Sequence, residues 1–259
     1  MKTITPIRLA VDAAPVEQAY QLARVARAAY RDDPAADPAF REAFDSVVTF
    51  RSTRVFGLVA ATRDDVVVAF RGTHEDREWI EALAYGQAPW GFGRAHKGCS
   101  RLVENVWTSL LAGLYDEGAD ARRIWLTGHS IGGTLALVAA ARLEYEGFDL
   151  FNVTTFGTPA VLDKAAAESF RCRVVRVVNN EDILPDMPWP TMVDSYVHAG
   201  ERILLTASGR LAAAHHSRDL ARRVDRANAI GEGVLPSGPL HDHAIEQYIE
   251  KLRRLVDSQ

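Results

Sequence analysis

A chain of 259 residues, 47% hydrophobic and 25% charged, can bury a sizeable core and is not the composition of a disordered protein. A net charge of −4 without any Lys/Arg block leaves no electrostatic footprint for nucleic acid, so nucleic-acid binding is excluded as a function class. No apolar run reaches the ~20 residues of a transmembrane segment. Cys99 and Cys172 are the only two cysteines, too few for a disulfide framework and without metal-ligand spacing.

Residues Met1 to Ala14 interleave Lys2, Arg8 and Asp12 with short apolar pieces, unlike a secretory signal, so the expectation is a cytoplasmic protein, with export by another route left open. Pro15 to Tyr30 repeats apolar residues at helical spacing and predicts an N-terminal helix. Val55–Ala61 and Val66–Arg71, separated by the polar Thr62-Arg63-Asp64-Asp65, read as consecutive strands of a hairpin. Leu102 to Leu114 presents one apolar helix face and Gly118 stops it. Beyond it come a strand at Ile124–Thr127, a helix at Gly133–Glu146, a strand at Val153–Phe156, a helix at Leu162–Arg171, a strand at Val174–Val178 and a terminal helix at Asp242–Val256. Between Tyr196 and Thr206 a further antiparallel hairpin is expected. Alternating strands and helices imply one α/β domain over residues 1–259, with a mainly parallel central sheet flanked by helices on both faces.

Gly128-His129-Ser130-Ile131-Gly132-Gly133 sets a Gly-x-Ser-x-Gly sequence between a predicted strand and a predicted helix. A serine on so sharp a turn has strained backbone angles, and side chains at Gly128 or Gly132 would collide with the neighbouring strand and helix. The turn exposes the Ser130 hydroxyl as a nucleophile and aims the Ile131 amide, at a helix N-terminus, towards a developing oxyanion. A hydroxyl at its ordinary pKa attacks poorly, so a histidine must take its proton and a carboxylate must orient that histidine. Asp182, just past the strand Val174–Val178, is the favoured acid, with Glu181, Asp186 and Asp194 as competitors. His243, in Leu240-His241-Asp242-His243 at the start of the last helix, is the favoured base, and His241 its rival. The chain order Ser130, Asp182, His243 is that of α/β-hydrolases.

With those residues in place the sequence resembles the class 3 lipases, over roughly residues 20 to 255. Val66 to Thr73 resembles that family's strand and Arg-Gly-Ser/Thr turn, Ala95-His96-Lys97-Gly98 its Val-His-x-Gly-Phe element, Gly128 to Gly133 its nucleophile turn, and Asp182-Ile-Leu-Pro its acid loop. His243, followed by Tyr248, resembles the final histidine motif, which favours His243 over His241. Cys99 stands where the family usually has Phe, Ile131 where it has Leu, and Ala95 where it has Val. The resemblance implies an α/β-hydrolase fold, a second oxyanion donor at the Thr73 amide, and a short lid helix over Asp76–Tyr85 whose Trp79, Ile80 and Leu83 face the acyl groove when closed, with a fixed helix packed on the core as the alternative to a lid. It also implies a carboxylic ester hydrolase of the lipase kind, acting on acylglycerols without metal or cofactor, with a transient lipid-interface contact. Small-ester, feruloyl-type or thioester hydrolysis on the same triad is the alternative, and a non-catalytic binding scaffold is the reading from a different class.

Overall fold

The computed structural model describes residues 6–72, 86–187, 196–212 and 241–258. Helix α1 (Pro15–Ala28) begins on a proline at its first position, where the missing N–H has no helical partner to lose. A short helix α2 (Pro38–Arg41) follows, capped by the Asp37 carboxylate on the Ala39 amide. Strands β1 (Ser46–Arg51), β2 (Phe56–Ala61) and β3 (Asp65–Phe70) form an antiparallel meander, and β3 then pairs in parallel with β6 (Arg123–His129). Strands β7 (Leu150–Phe156), β8 (Arg173–Asn179) and β9 (Glu201–Leu205) extend the parallel part, giving the order β1-β2-β3-β6-β7-β8-β9. A separate two-stranded ribbon joins β4 (Gln87–Trp90) to β5 (Gly93–His96).

Every residue of β3 is buried, and its side chains alternate between two cores. Val66, Val68 and Phe70 enter one with helices α3 (Lys97–Glu104), α4 (Trp107–Asp116) and α5 (Ile131–Tyr145), whereas Val67 and Ala69 enter the other with α1 and the terminal helix α7 (Ile245–Asp257). Period-two alternation with both faces apolar is what a strand covered by helices on each side requires. Buried Asp65 fixes the β3–β6 register: its carboxylate takes two hydrogen bonds from Arg123 (2.8 and 3.0 Å) and one from Trp125 Nε1 (2.8 Å).

The expected helix over 102–114 is two helices, because α3 ends at Asn105 and Val106 leaves helical angles (φ −117°, ψ 1°). The break lets α3 pack on α5 while α4 packs on β1 and β2. The helix expected over 162–171 shrinks to α6 (Lys164–Glu168), since the Asp163 side chain caps it by accepting from the Ala166 amide, and Leu162 instead bridges Ala95 and Val197. The expected hairpin over 196–206 does not form. Gly200 (φ +69°) lies so close to β8 that a Cβ there would stand 2.1 Å from the Val174 carbonyl, and the chain runs on as the parallel strand β9. The edge strand β1 and the β4–β5 ribbon were not expected.

Candidate active site

Ser130 sits between β6 and α5 with φ +58° and ψ −130°, a conformation that costs a non-glycine residue on the order of 1–3 kcal/mol. Three glycines make it possible. A Cβ on Gly128 would lie 2.3 Å from the Gly132 backbone, one on Gly132 would lie 2.3 Å from the Phe70 carbonyl, and one on Gly133 would lie 2.0 Å from Thr158 Oγ1. The Ser130 amide donates to the Phe156 carbonyl at the end of β7 (2.8 Å), which ties the turn to the neighbouring strand. Ile131 occupies the first position of α5, where an amide has no acceptor within the helix, so its N–H and the helix dipole are available to negative charge beside the serine.

Asp182 follows β8 and is fully buried. Its Oδ2 accepts from His243 Nδ1 at 2.9 Å and from the Tyr248 hydroxyl, and its Oδ1 accepts from the Leu184 amide at 3.0 Å. Burial by itself would raise this carboxyl, but the His243 charge and the hydrogen bonds from His243, Tyr248 and Leu184 outweigh it and hold the group below the usual carboxylate range. His243 is buried, in a helical stretch (241–243) that breaks at Ala244 just before α7, whereas the side chain of its rival His241 is 68% exposed and stands 4.0 Å from Asp242. Gly157 (φ +59°) brings β7 up to the pair: a Cβ there would stand 2.6 Å from Asp182 Oδ2 and 3.0 Å from His243. The strand end that carries Ser130's partner Phe156 therefore also touches Asp182 and His243.

His129 links the Ser130 turn to His243. Its Nε2 lies 2.6 Å from the His243 carbonyl, which can only accept, so Nε2 carries the proton and Nδ1 accepts from the Tyr30 hydroxyl (2.7 Å). Burial, and then the charge of His243, push His129 down to about 3, so the ring stays neutral as this tautomer. The two imidazoles lie against each other, tilted by 36°, with centroids 4.6 Å apart. Sequence reading placed His129 beside the nucleophile without this task and missed Tyr30, because their contact spans 99 residues and no spacing rule reaches across it.

Thr73, Trp79, Ile80 and Leu83, with the helix expected over 76–85, lie outside the described residues, as does Asp194. Gly72, which leads to Thr73, is held against the serine turn, since a Cβ on it would meet the His129 carbonyl at 2.8 Å. Burial pushes the Cys99 thiol up to about 12, so the cysteine at the family's Phe position is a packing residue and no rival nucleophile. Among the described residues no cluster of three or more His, Cys, Asp or Glu could hold a metal ion, and no helix is long and apolar enough to cross a membrane.

The Tyr248 hydroxyl carries a prediction. Tyr248→Phe removes one donor from a fully buried carboxylate and should cost roughly 1–3 kcal/mol in chemical denaturation. A carboxyl depressed in the folded state stabilises the fold above its ordinary range, and that stability is lost as pH falls through the ordinary range towards the lower folded value. The variant, with a less depressed Asp182, should start acid unfolding at higher pH than the wild type. An unchanged acid transition would show that the hydroxyl does not support the charged carboxylate.

Comparison with known proteins adds names to this geometry. Residues 67–192 match the family model described as lipase (class 3). A lipase from Rhizomucor miehei is 31% identical over 153 residues, 54% of this chain and 42% of the relative. Secreted mono- and diacylglycerol lipase 1 from Fusarium solani is 31% identical over 135 residues, covering 49% and 40%. The chain thus spans less than half the length of these two relatives. The solved mono- and diacylglycerol lipase from Aspergillus oryzae superposes with a TM-score of 0.71 at 19% identity, over 90% of this chain and 96% of that one. That likeness shows the α/β-hydrolase fold. The expectation of a cytoplasmic protein is overturned by these relatives: one is named as secreted, and the R. miehei lipase has been solved in complex with its propeptide, which points outside the cell. The composition of residues 1–14 does not decide where the protein works.

Proposed function

We propose that the chain, whose residues 67–192 match the class 3 lipase model, is a serine hydrolase of carboxylic esters, with acylglycerols as substrates. The observation that carries this reading is the buried Asp182–His243 hydrogen bond, held against the strand end that also anchors the strained Ser130 turn. In this reading Ser130 Oγ attacks the ester carbonyl while His243 Nε2 takes its proton, and the same proton leaves with the alcohol. Water, deprotonated by His243, then releases the acid from the acyl-enzyme. Asp182 holds Nδ1–H and stabilises the imidazolium, and the Ile131 amide, with that of Thr73, receives the oxyanion. Trp79, Ile80 and Leu83 are assigned to the acyl chain on sequence alone.

The test is the hydrolysis of p-nitrophenyl esters from acetyl to palmitoyl, below and above the concentration at which each aggregates. Preference for long chains, with a rise in rate on aggregation, is the expected result. Preference for short chains with no such rise would replace acylglycerols by small esters, feruloyl esters or thioesters as the substrate class.

A further inference from the structure

Asp242 immediately precedes His243, and Lys251 lies on α7 beside it, yet neither is an ordinary surface charge: their side chains are 13% and 10% exposed. The Asp242 carboxylate accepts from Asn180 Nδ2 (2.7 Å) and from the Glu181 amide (3.1 Å), while its main-chain carbonyl accepts from Asn179 Nδ2 (2.7 Å). Lys251 Nζ donates to Asn179 Oδ1 (2.7 Å) and stands 3.8 Å from Asp242 Oδ1. Asn179, gripped from both sides, is the last residue of β8, and Asn180 takes a positive φ of 37° that turns the chain towards Asp182. Each of these hydrogen bonds joins the acid loop to the turn that carries the base or to the helix behind it.

We propose that Asp242 and Lys251 are positioning residues that fasten the acid loop to the base turn, so that Asp182 and His243 meet the serine as one unit; this rests on the triad reading above. The acid and the base lie 61 residues apart, and the turn that carries His243 belongs to no strand of the sheet. Its place is therefore set by side-chain contacts. Withdrawing two opposite charges from water gains little net stability even when they are paired, so the pair is better explained by the geometry it imposes than by the energy it adds. A displacement of about 1 Å at a reacting group costs on the order of 10²-fold in rate, and no contact of Asp242 or Lys251 is with the reacting atoms.

The test compares Asp242→Ala, Asp242→Asn and Lys251→Met with wild type, at a temperature where each is fully folded by near-ultraviolet circular dichroism. Two rates are read: steady-state hydrolysis of p-nitrophenyl acetate, and covalent labelling of Ser130 by a small p-nitrophenyl phosphonate. Asp242→Ala should lower kcat and the labelling rate together by on the order of 10²-fold, with KM within about twofold of wild type. Asp242→Asn, which keeps an acceptor for the Glu181 amide, should recover most of that loss, whereas a merely structural residue would show no such split or rescue. Should Asp242→Ala not fold, Lys251→Met carries the test with the same readouts. Folded variants that react at wild-type rates, or that lose only KM, overturn the proposal. Failure of the wild type itself to be labelled at Ser130 would instead sink the triad reading on which it stands.

Discussion

Ser130→Ala is expected to lower kcat for ester hydrolysis by on the order of 10⁶-fold while leaving the protein folded. The size of the loss follows from the division of labour: without the hydroxyl no acyl-enzyme forms, and only oxyanion stabilisation and binding remain to act on water. The fold should survive because Oγ makes no capping hydrogen bond to α5. The backbone strain at φ +58° is the same for alanine, the Ser130 amide still donates to the Phe156 carbonyl, and the three glycines still clear the turn. Thermal unfolding checks the second half of the claim and p-nitrophenyl acetate the first. A folded variant that retains more than a trace of activity would move the nucleophile elsewhere.

The second large effect is expected at Asp182→Asn, a loss of about 10⁴-fold in kcat. In the wild type Oδ1 accepts from the Leu184 amide, and Oδ2 accepts from both His243 Nδ1–H and the Tyr248 hydroxyl. Asparagine offers one acceptor. If its oxygen keeps the Leu184 amide, its NH2 faces His243 and Tyr248, and Nδ1 must then accept, which moves the imidazole proton to Nε2. The base is then protonated at the nitrogen that has to receive the serine proton. The same substitution takes from the Tyr248 hydroxyl, which already accepts from the Asn179 amide, the buried carboxylate oxygen to which it donates, and should cost roughly 1–3 kcal/mol of stability. Kinetics over a range of pH would separate the two consequences, because raising the pH cannot restore the tautomer. Activity within tenfold of wild type would mean that Asp182 does not orient the base.

The parts of this site that could be read from the sequence are those where local sterics dictate residue type. The glycines at 128, 132 and 133 leave room for a strained serine, and the structure puts backbone or side-chain atoms where their Cβ atoms would be. Strands β2, β3 and β6 were legible because burial on both faces demands apolar runs, and β8 because Val174-Val175 and Val177-Val178 flank Arg176. Strand β1 was missed, being a sheet edge with only Phe50 buried. The break between α3 and α4 lies inside an apolar face that runs across it, so periodicity alone joins the two helices. Residues that act across the fold left no local trace. Tyr30 reaches His129 from the N-terminal segment, Gly157 approaches the acid and base from β7, and Lys251 reaches Asn179 from 72 residues away. Their roles depend on which elements pack together, and that follows from the whole sheet order.

The most direct test of the central claim is covalent trapping. The protein, incubated with a p-nitrophenyl phosphonate ester until release of p-nitrophenol stops, would be weighed intact and its peptides mapped. One phosphonyl group per chain on Ser130, with none on Ser130→Ala, is the result expected of a serine hydrolase built on Asp182 and His243. A label on any other residue, or one that persists in Ser130→Ala, would contradict it.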